Sequence, residues 1–528
     1  MENRKTKIIS VVAIVALALT VIMATYAYFN AQGGSATSTN LNVTTYTTDV
    51  FTFAAGDEIN LEITQSNFAS GAGNQTGSTY ASALLTANNK TNTATEHYYM
   101  YLNIENNTFT YSINTNTPEI IMTVKNSVGN EVTDISTLNH VIVTGANGTQ
   151  VSGYDITNKS GLITLFDNRE ITTTSSKEEK WNITITFVNF DENQNANAGK
   201  SMSAKVMIQK EVIPQVVSDV CSNGTNLATC ITTLANKSIP SATNIYHHDS
   251  SLSNGAGDNS YRYAGASDVV NNFVCFGSNE STCPTDNLYR IIGVFGNNVK
   301  LIKYDYGTTD ELGTDGDYNQ TYKEWGMDST YKGTYGDGER IGVYYWNNAT
   351  QNNTWSESLL NKTNLNTNFI NNIGEEWANK IATTTWKVGG NTYSNIYSKT
   401  PSVVYQNEIV NPVTTNTTDN ATEYTAKIGL MYVSDYGFAA EPSAWTLTMG
   451  NYNNTTATST NWMYMGLYEW TISRRADYAY NVFNVNSTGS VSYLSANNAF
   501  GVRPVFYLSS SVTYVEGDGT QNSPIRIN

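Results

Sequence analysis

Short runs in which apolar and polar residues alternate fill residues 28–212 of this 528-residue chain. The clearest runs are 59–63, 181–187 and 202–208, where apolar residues occupy every second position. This period of two places the apolar side chains on one face of a β-strand, and the Asn- and Gly-rich stretches between runs are typical of turns. Many such strands, with no helix of useful length between them, predict a β-sandwich.

The N-terminus predicts export. Arg4, Lys5 and Lys7 precede an uncharged apolar run over residues 8–23, and small residues follow up to Ala27. This order is typical of a secretory signal peptide that is removed after Ala27. An uncleaved membrane anchor is the alternative, because residues 8–27 are long enough to span a bilayer. We therefore expect an extracellular or bacterial cell-surface protein that touches a membrane only through an uncleaved N-terminal segment.

The charge balance limits the classes of partner. The chain has 29 Lys and Arg against 45 Asp and Glu, which gives a net charge of −16. Nucleic acid is excluded as a partner, because phosphate binding needs a basic surface. Four His residues, with no credible Ser-His-Asp order, predict that the protein is not an enzyme.

One acidic segment has the spacing of a calcium loop. It contains Asp310, Glu311, Asp315 and Asp317. Gly326 occupies the position where an EF-hand needs its bidentate Glu, so an EF-hand is excluded. The sequence therefore predicts no cofactor and a solvated acidic turn, with incidental calcium binding as the alternative.

The cysteines also fit an exported protein. All four lie beyond residue 220, and an even number in a secreted chain is typical of disulfides. The short separations favour Cys221–Cys230 and Cys275–Cys283 among three connectivities. Four reduced thiols are the alternative, and a zinc site is disfavoured because no C-x2-C pair exists.

The pattern changes near residue 213. Residues 213–266 are rich in Ser, Asn and Gly and predict a disulfide-tied linker or subdomain. In residues 267–528, two apolar runs flank a turn at 296–298 and predict a hairpin, while residues 355–386 have helical spacing. Further strands are expected at 427–433, 480–485 and 502–508, so the second half is predicted as an α+β domain.

The N-terminal half resembles a known family. The segment from Ala24 to Asn30, Ala-Thr-Tyr-Ala-Tyr-Phe-Asn, is similar to the export region of the TasA/camelysin family of Gram-positive surface fibre proteins. The resemblance implies a jelly-roll-like β domain over residues 28–212 and assembly into fibres. In that family an N-terminal segment can complete a neighbour's sheet, and residues 28–48 have the β-prone character this requires.

The C-terminal half resembles the lectin-like domains of Gram-positive surface proteins, which share the C-type lectin fold. The resemblance rests on an ordered series of motifs: 287–294, 355–361, 470–473, 489–491 and Gly-Val-Arg-Pro-Val at 501–505. It implies that ligands meet the irregular loops at 441–498. The calcium-binding triplets of animal C-type lectins are absent, and the nearest, Glu-Pro-Ser at 441–443, lacks the Asn.

Aromatic and Arg residues are abundant in these loops and predict the binding site. The expected ligand-binding residues are Trp462, Tyr464, Tyr468, Arg474, Arg475 and Tyr478. This hypothesis requires Tyr464, Arg474 and Arg475 to be exposed on one face, whereas core positions for Trp462 and its neighbours are the alternative. Trp355 and Trp470 are expected as core anchors, and Arg503 as a buried, paired residue in the closing strand.

The sequence thus predicts a surface adhesion or recognition protein that binds a host or bacterial protein or glycan through its lectin-like domain. A structural subunit of extracellular fibres, which would bind copies of itself, is the alternative. A hydrolase of glycans is the third and weakest hypothesis, because no carboxylate pair has a motif around it.

Overall fold

The computed structural model describes residues 49–68, 72–88, 92–135, 137–146, 148–319, 342–412 and 421–528. The predicted signal peptide and residues 28–48 lie outside these ranges, so cleavage and strand exchange stay predictions. The protein is mainly β, with 38% strand and 19% helix, in several antiparallel sheets. Within the described ranges, no helix is both long and apolar enough to cross a membrane.

The chain divides into two compact units, Met1–Ile213 and Pro214–Asn528. The division lies beside the change of pattern near residue 213. Residues 214–266 lie within the second unit, and the disulfide-tied linker or subdomain expected there stays a prediction. This segment supplies two strands to a sheet of the second unit and Leu227, Ile231 and Leu234 to its core.

The first unit contains ten described strands. They are β1 Val50–Ala55, β2 Ile59–Ile63, β3 Gln75–Thr86, β4 Ala94–Asn107, β5 Ile120–Asn126, β6 His140–Thr144, β7 Gln150–Asp155, β8 Gly161–Thr173, β9 Ser176–Phe187 and β10 Lys200–Gln209. Six form a sheet in the order β1-β3-β9-β5-β7-β6, and four form a sheet in the order β2-β10-β4-β8. Apolar side chains of both sheets belong to one core cluster.

The alternating runs of the sequence are strands, as predicted. In β2 the buried residues are Ile59, Leu61 and Ile63, and the residues between them are exposed. Burial of one face of each strand supplies the hydrophobic stabilisation of the unit. The indole Nε1 of Trp181 donates to the Tyr98 hydroxyl at 2.9 Å, which keeps a polar atom satisfied inside this core.

The second unit contains sixteen described strands. They are β11 Ile245–His248, β12 Ser260–Tyr263, β13 Phe273–Cys275, β14 Leu288–Phe295, β15 Asn298–Lys303, β16 Val343–Tyr345, β17 Thr384–Lys387, β18 Glu423–Ala426, β19 Ile428–Gly429, β20 Glu469–Arg474, β21 Asn481–Val485, β22 Val491–Ser495, β23 Ala499–Gly501, β24 Val505–Tyr507, β25 Tyr514–Glu516 and β26 Arg526–Ile527. The two largest sheets run β11-β12-β14-β15-β24-β19, with β13 beside β14, and β16-β23-β20-β21-β22. The predicted hairpin is confirmed, with β14 and β15 joined across Gly296.

The described α-helices are short. They are α1 Leu227–Lys237, α2 Pro240–Thr243, α3 Thr309–Leu312, α4 Ile370–Asn372, α5 Glu375–Ala378, α6 Tyr393–Tyr397, α7 Pro401–Tyr405, α8 Val433–Phe438 and α9 Thr455–Ser459. The helical region expected at 355–386 is confirmed in part, but it is shorter than predicted and is not one regular α-helix. It contains a π-helical segment, Leu360–Phe369, then α4 and α5, which are separated by Gly374 at φ 80°, and it ends in strand β17.

Two disulfides join Cys221 to Cys230 and Cys275 to Cys283, the pairing that the short separations favoured. Trp355 and Trp470 are 2% and 0% exposed in the core of the second unit. The Arg503 guanidinium is also buried and donates to both carboxylate oxygens of Glu469, at 2.8 and 2.9 Å.

Candidate ligand-binding surface

The structure separates the six residues predicted to bind ligand. Trp462, Tyr464 and Arg474 are buried, with 1%, 8% and 1% exposure, so the expectation that Tyr464, Arg474 and Arg475 form one exposed face is wrong. Tyr468 is half-buried and its ring stacks on Phe500. Of the six, only Tyr478 is exposed, and Arg475 is half-buried like Tyr468.

Internal hydrogen bonds hold the three buried residues. The Trp462 Nε1 donates to the Tyr263 carbonyl at 2.9 Å, and the Tyr464 hydroxyl donates to the Ser487 carbonyl at 2.6 Å. The Arg474 Nε donates to the Val388 carbonyl at 2.9 Å, and burial lowers the pKa of Arg474 to about 10. A side chain packed in this way does not reach a ligand outside the unit.

A cluster of tyrosines surrounds Arg475 at the end of the five-stranded sheet. We define the tyrosine surface by the five tyrosines of this cluster, which come from α6, from the β20–β21 loop and from β22: Tyr393, Tyr397, Tyr478, Tyr480 and Tyr493. Tyr397, Tyr478 and Tyr480 are 38%, 51% and 54% exposed. Single exposed aromatic side chains scattered over a surface need no explanation, but exposed aromatic side chains gathered in one cluster do.

Ring contacts join the tyrosines into two groups, one of Tyr393, Tyr397 and Tyr493 and one of Tyr478 and Tyr480. Tyr393 stacks on Tyr397 with ring centroids 5.1 Å apart and meets Tyr493 edge-on at 4.8 Å. Tyr478 meets Tyr480 edge-on at 6.0 Å. Arrangements of this kind contribute about 0.5–1.5 kcal/mol each beyond the buried area. The rings are therefore held in a defined arrangement while part of each exposed ring faces solvent.

The Arg475 side chain packs against three of these rings and supports them. Its guanidinium carbon lies 4.2 Å from the centroid of Tyr493, 5.3 Å from Tyr393 and 5.4 Å from Tyr478. Its Nε and Nη2 donate to the two carboxylate oxygens of Asp477, at 2.9 and 3.2 Å. Because its side chain is only 16% exposed, Arg475 orders the tyrosines and is not itself a free cation for an anionic ligand.

The Arg475–Asp477 ion pair shifts the pKa of both groups. Burial acts to lower the pKa of Arg475, but the hydrogen bonds and charge of Asp477 outweigh it and the pKa is raised. Burial acts to raise the pKa of Asp477, but Arg475 outweighs it and the pKa is lowered. Both groups stay charged at neutral pH, so the support persists under physiological conditions.

The β20–β21 loop, which carries Tyr478 and Tyr480, is fixed by Asn353, a residue that the sequence analysis missed. The Nδ2 of Asn353 lies 2.8, 3.0 and 2.8 Å from the carbonyl oxygens of Arg475, Tyr478 and Asn481. Asn353 is 0% exposed. Nothing in an Asn-rich sequence distinguishes this residue, because its role depends on contacts more than 100 positions away.

Carboxylates of the acidic segment make hydrogen bonds within the second unit. The carboxylate of Asp317 is buried and accepts the backbone N–H groups of Asn348 and Leu360 at 3.0 and 2.8 Å. Asp315 accepts from the Asn368 amide at 2.6 Å. These carboxylates organise the turn and the neighbouring π-helical segment. Throughout the described ranges, no group of three or more His, Cys, Asp or Glu side chains is arranged to hold a metal ion.

Comparison with models of known protein families and with curated proteins gives no match to this chain. The candidate site therefore rests on the geometry of the tyrosine surface alone.

Proposed function

We propose that this chain is a surface recognition protein of bacteria that binds a protein or glycan ligand through the tyrosine surface of its second unit. The observation that carries the proposal is a cluster of five tyrosines around Arg475, three of them well exposed, of which Tyr478 and Tyr480 lie on a loop that Asn353 fixes. Tyr combines a rigid apolar ring with a hydroxyl and loses little conformational entropy on binding. Such a surface is suited to contact recognition, and we propose that the protein is not an enzyme.

The fold and the location belong to the same proposal. We interpret the first unit as a jelly-roll-like sandwich, because apolar residues of two antiparallel sheets share one core cluster. We interpret the second unit as a lectin-like domain, because the motif strands of the sequence lie in its two main sheets. Two disulfides are consistent with an extracellular protein. Together with the N-terminal signal they support secretion or display on the cell surface.

A fibre subunit is the second candidate, and strand β6 favours it. This strand forms one edge of the six-stranded sheet and, within the described ranges, pairs only with β7. It reads His-Val-Ile-Val-Thr, and Ile142 is 65% exposed. Natural edge strands usually carry Lys, Pro or a bulge that blocks further pairing, and β6 has no Lys or Pro. Two copies could therefore pair along this edge.

The two candidates give different results in solution and in binding assays. The test variant is Tyr397→Ala/Tyr478→Ala/Tyr480→Ala in the full chain, assayed on glycan arrays and on immobilised host and bacterial surface proteins. We expect binding to fall at least about tenfold, because exposed Tyr anchors each contribute about 1 kcal/mol or more. The melting temperature should stay nearly unchanged, since the removed rings are partly solvated.

Tyr80→Ala is the matched control, because Tyr80 is 38% exposed but lies in the first unit. It should bind like the wild type. Unchanged binding by the folded triple variant would refute the tyrosine surface as the site. If the wild type binds no ligand but forms filaments that Ile142→Lys abolishes, the fibre candidate replaces the recognition proposal.

A further inference from the structure

The second unit buries a lysine and an aspartate in direct contact. The Nζ of Lys300, on β15, lies 2.5 Å from Oδ2 of Asp435, on α8. Their side chains are 1% and 2% exposed. Four aromatic rings surround the amine at 4.6–5.6 Å, namely those of Tyr432, Tyr507, Phe295 and Trp386. Water is thereby kept from both groups, although burial of a charged pair is costly and often no more stable than an apolar replacement.

A third ionisable group lies beside this pair. The Glu408 carboxylate is buried and accepts the backbone N–H groups of Val433 and Ser434 at 3.1 and 3.0 Å, and the Ser473 hydroxyl. Val433 and Ser434 immediately precede Asp435 in α8. Glu408 is therefore anchored to the same turn that carries the aspartate.

The protonation states favour reaction between these groups. Burial lowers the pKa of Lys300, against the opposing charge and hydrogen bond of Asp435, which increases the fraction of neutral amine. Burial, with a smaller effect of the Asp435 charge, raises the pKa of Glu408 to about 7. Near neutral pH, Glu408 therefore exchanges protons readily in both directions, as a general acid–base group must.

We infer that Lys300 and Asp435 become joined by an intramolecular amide bond between Nζ and Cγ, with loss of one water molecule. This modification is independent of the proposed recognition function. It would connect β15 to α8 across 135 residues of chain.

The reaction balances without an external reagent. A proton passes from the Lys300 ammonium to Oδ2 of Asp435, with which it is in contact, and the neutral Nζ then attacks Cγ while negative charge develops on Oδ1. The Arg262 guanidinium, with Nη1 3.6 Å from Oδ1, stabilises this charge. The nitrogen then loses a proton, and the Oδ2 hydroxyl gains one and leaves as water; the transfer is assigned to Glu408 because its buried carboxyl group is anchored to the turn that carries Asp435. Glu408 ends in its starting protonation state, and the bond forms once per chain.

Intact mass spectrometry of the full chain, with disulfides kept, tests the bond. The reference mass is calculated from the sequence, starting at the N-terminus found by sequencing. We expect the measured mass to be lower by two hydrogens for each disulfide and by one further water. After reduction and proteolysis, one branched peptide should contain both Lys300 and Asp435. The buried pair Lys303–Glu311, with Nζ 3.0 Å from Oε1, is the internal control and should give separate peptides, because Glu311 is partly exposed.

Glu408→Gln keeps the size of the side chain but cannot transfer the proton, so the folded variant should keep the unlinked mass. This variant retains Lys300 and Asp435, and its fold is checked by circular dichroism and resistance to protease. A wild-type protein with free Lys300 and Asp435 peptides would overturn the bond. So would a missing water that maps to a succinimide at an Asp-Gly pair such as 518–519. A linked Glu408→Gln variant would overturn the role of Glu408.

Discussion

Replacing Arg503 by Met should destabilise the second unit strongly, and replacing its partner as well should restore much of the loss. The structure gives the magnitude. Glu469 and Arg503 have side chains 3% and 1% exposed, joined by two hydrogen bonds at 2.8 and 2.9 Å. Removing one partner of such a buried pair leaves an uncompensated charge and costs about 3–5 kcal/mol.

A double-mutant cycle separates the pair from its surroundings. In Arg503→Met/Glu469→Leu no buried charge remains, so we expect the free energy of unfolding to recover by at least about 2 kcal/mol relative to Arg503→Met. Full recovery is not expected, because Arg503 also donates to the Met463 carbonyl at 2.7 Å, and an unpaired buried carbonyl costs about 1–3 kcal/mol.

Urea unfolding followed by tryptophan fluorescence is the assay, since eight of the nine Trp residues lie in the second unit. Lys387→Met is the control, because the pair Lys387–Glu423 is 35% and 52% exposed and should contribute less than about 1 kcal/mol. A double variant no more stable than Arg503→Met would refute the argument that the unpaired Glu469 charge causes the loss.

Three further changes have defined outcomes. Cys275→Ser/Cys283→Ser opens a loop with a sequence separation of 8 and should lower the free energy of unfolding by about 2–3 kcal/mol in the same urea assay; an unchanged midpoint would contradict this. Burial raises the pKa of Glu408 to about 7, so the native state binds more protons than the unfolded state between the unfolded pKa and about 7. Stability from this group is therefore present at low pH and lost as pH rises through about 7, and Glu408→Gln should flatten that decline; an equally steep decline in the variant would contradict the assignment to Glu408. Gly390→Ala places a Cβ 2.5 Å from Arg474 Cγ at a residue with φ +82° and should lower the melting temperature by several degrees. Gly129→Ala is the control: no atom lies within 4 Å of the new Cβ, so this change should cost only its backbone strain.

The sequence pattern predicted strands and a hairpin whose formation depends on residues that are neighbours in the chain. Period-two alternation identified β2, β9 and β10, and a Gly-Asn-Asn turn identified the β14–β15 hairpin, because each is determined by neighbouring residues. The helical region expected at 355–386 was confirmed only in part, for a physical reason. Its apolar residues at mixed three- and four-residue spacings are also buried by a π-helical segment and two short helices, and Gly374 at φ 80° breaks the run. The spacing of apolar residues alone does not distinguish one long α-helix from this series of shorter helical segments.

The candidate site was harder to predict because exposure is a property of distant contacts. Trp462 is buried through a hydrogen bond to Tyr263, 199 residues earlier in the chain. A Trp or Tyr in a polar loop has the same local sequence whether or not such a partner exists. The residue type therefore indicates what a side chain can do, but not which surface it reaches.

Arg474 and Arg475 show how one position decides between core and surface. Successive side chains at a strand end point to opposite faces, so only one of the two arginines can reach the tyrosines. Arg474 points inward and donates to the Val388 carbonyl, whereas Arg475 pairs with Asp477 beneath Tyr493. A shift of one residue in the register of β20 would exchange the two roles, and the surface would lose its support. The recognition proposal thus depends on the register of β20 and β21, which pairs Arg474 with Val482, as much as on the tyrosines themselves.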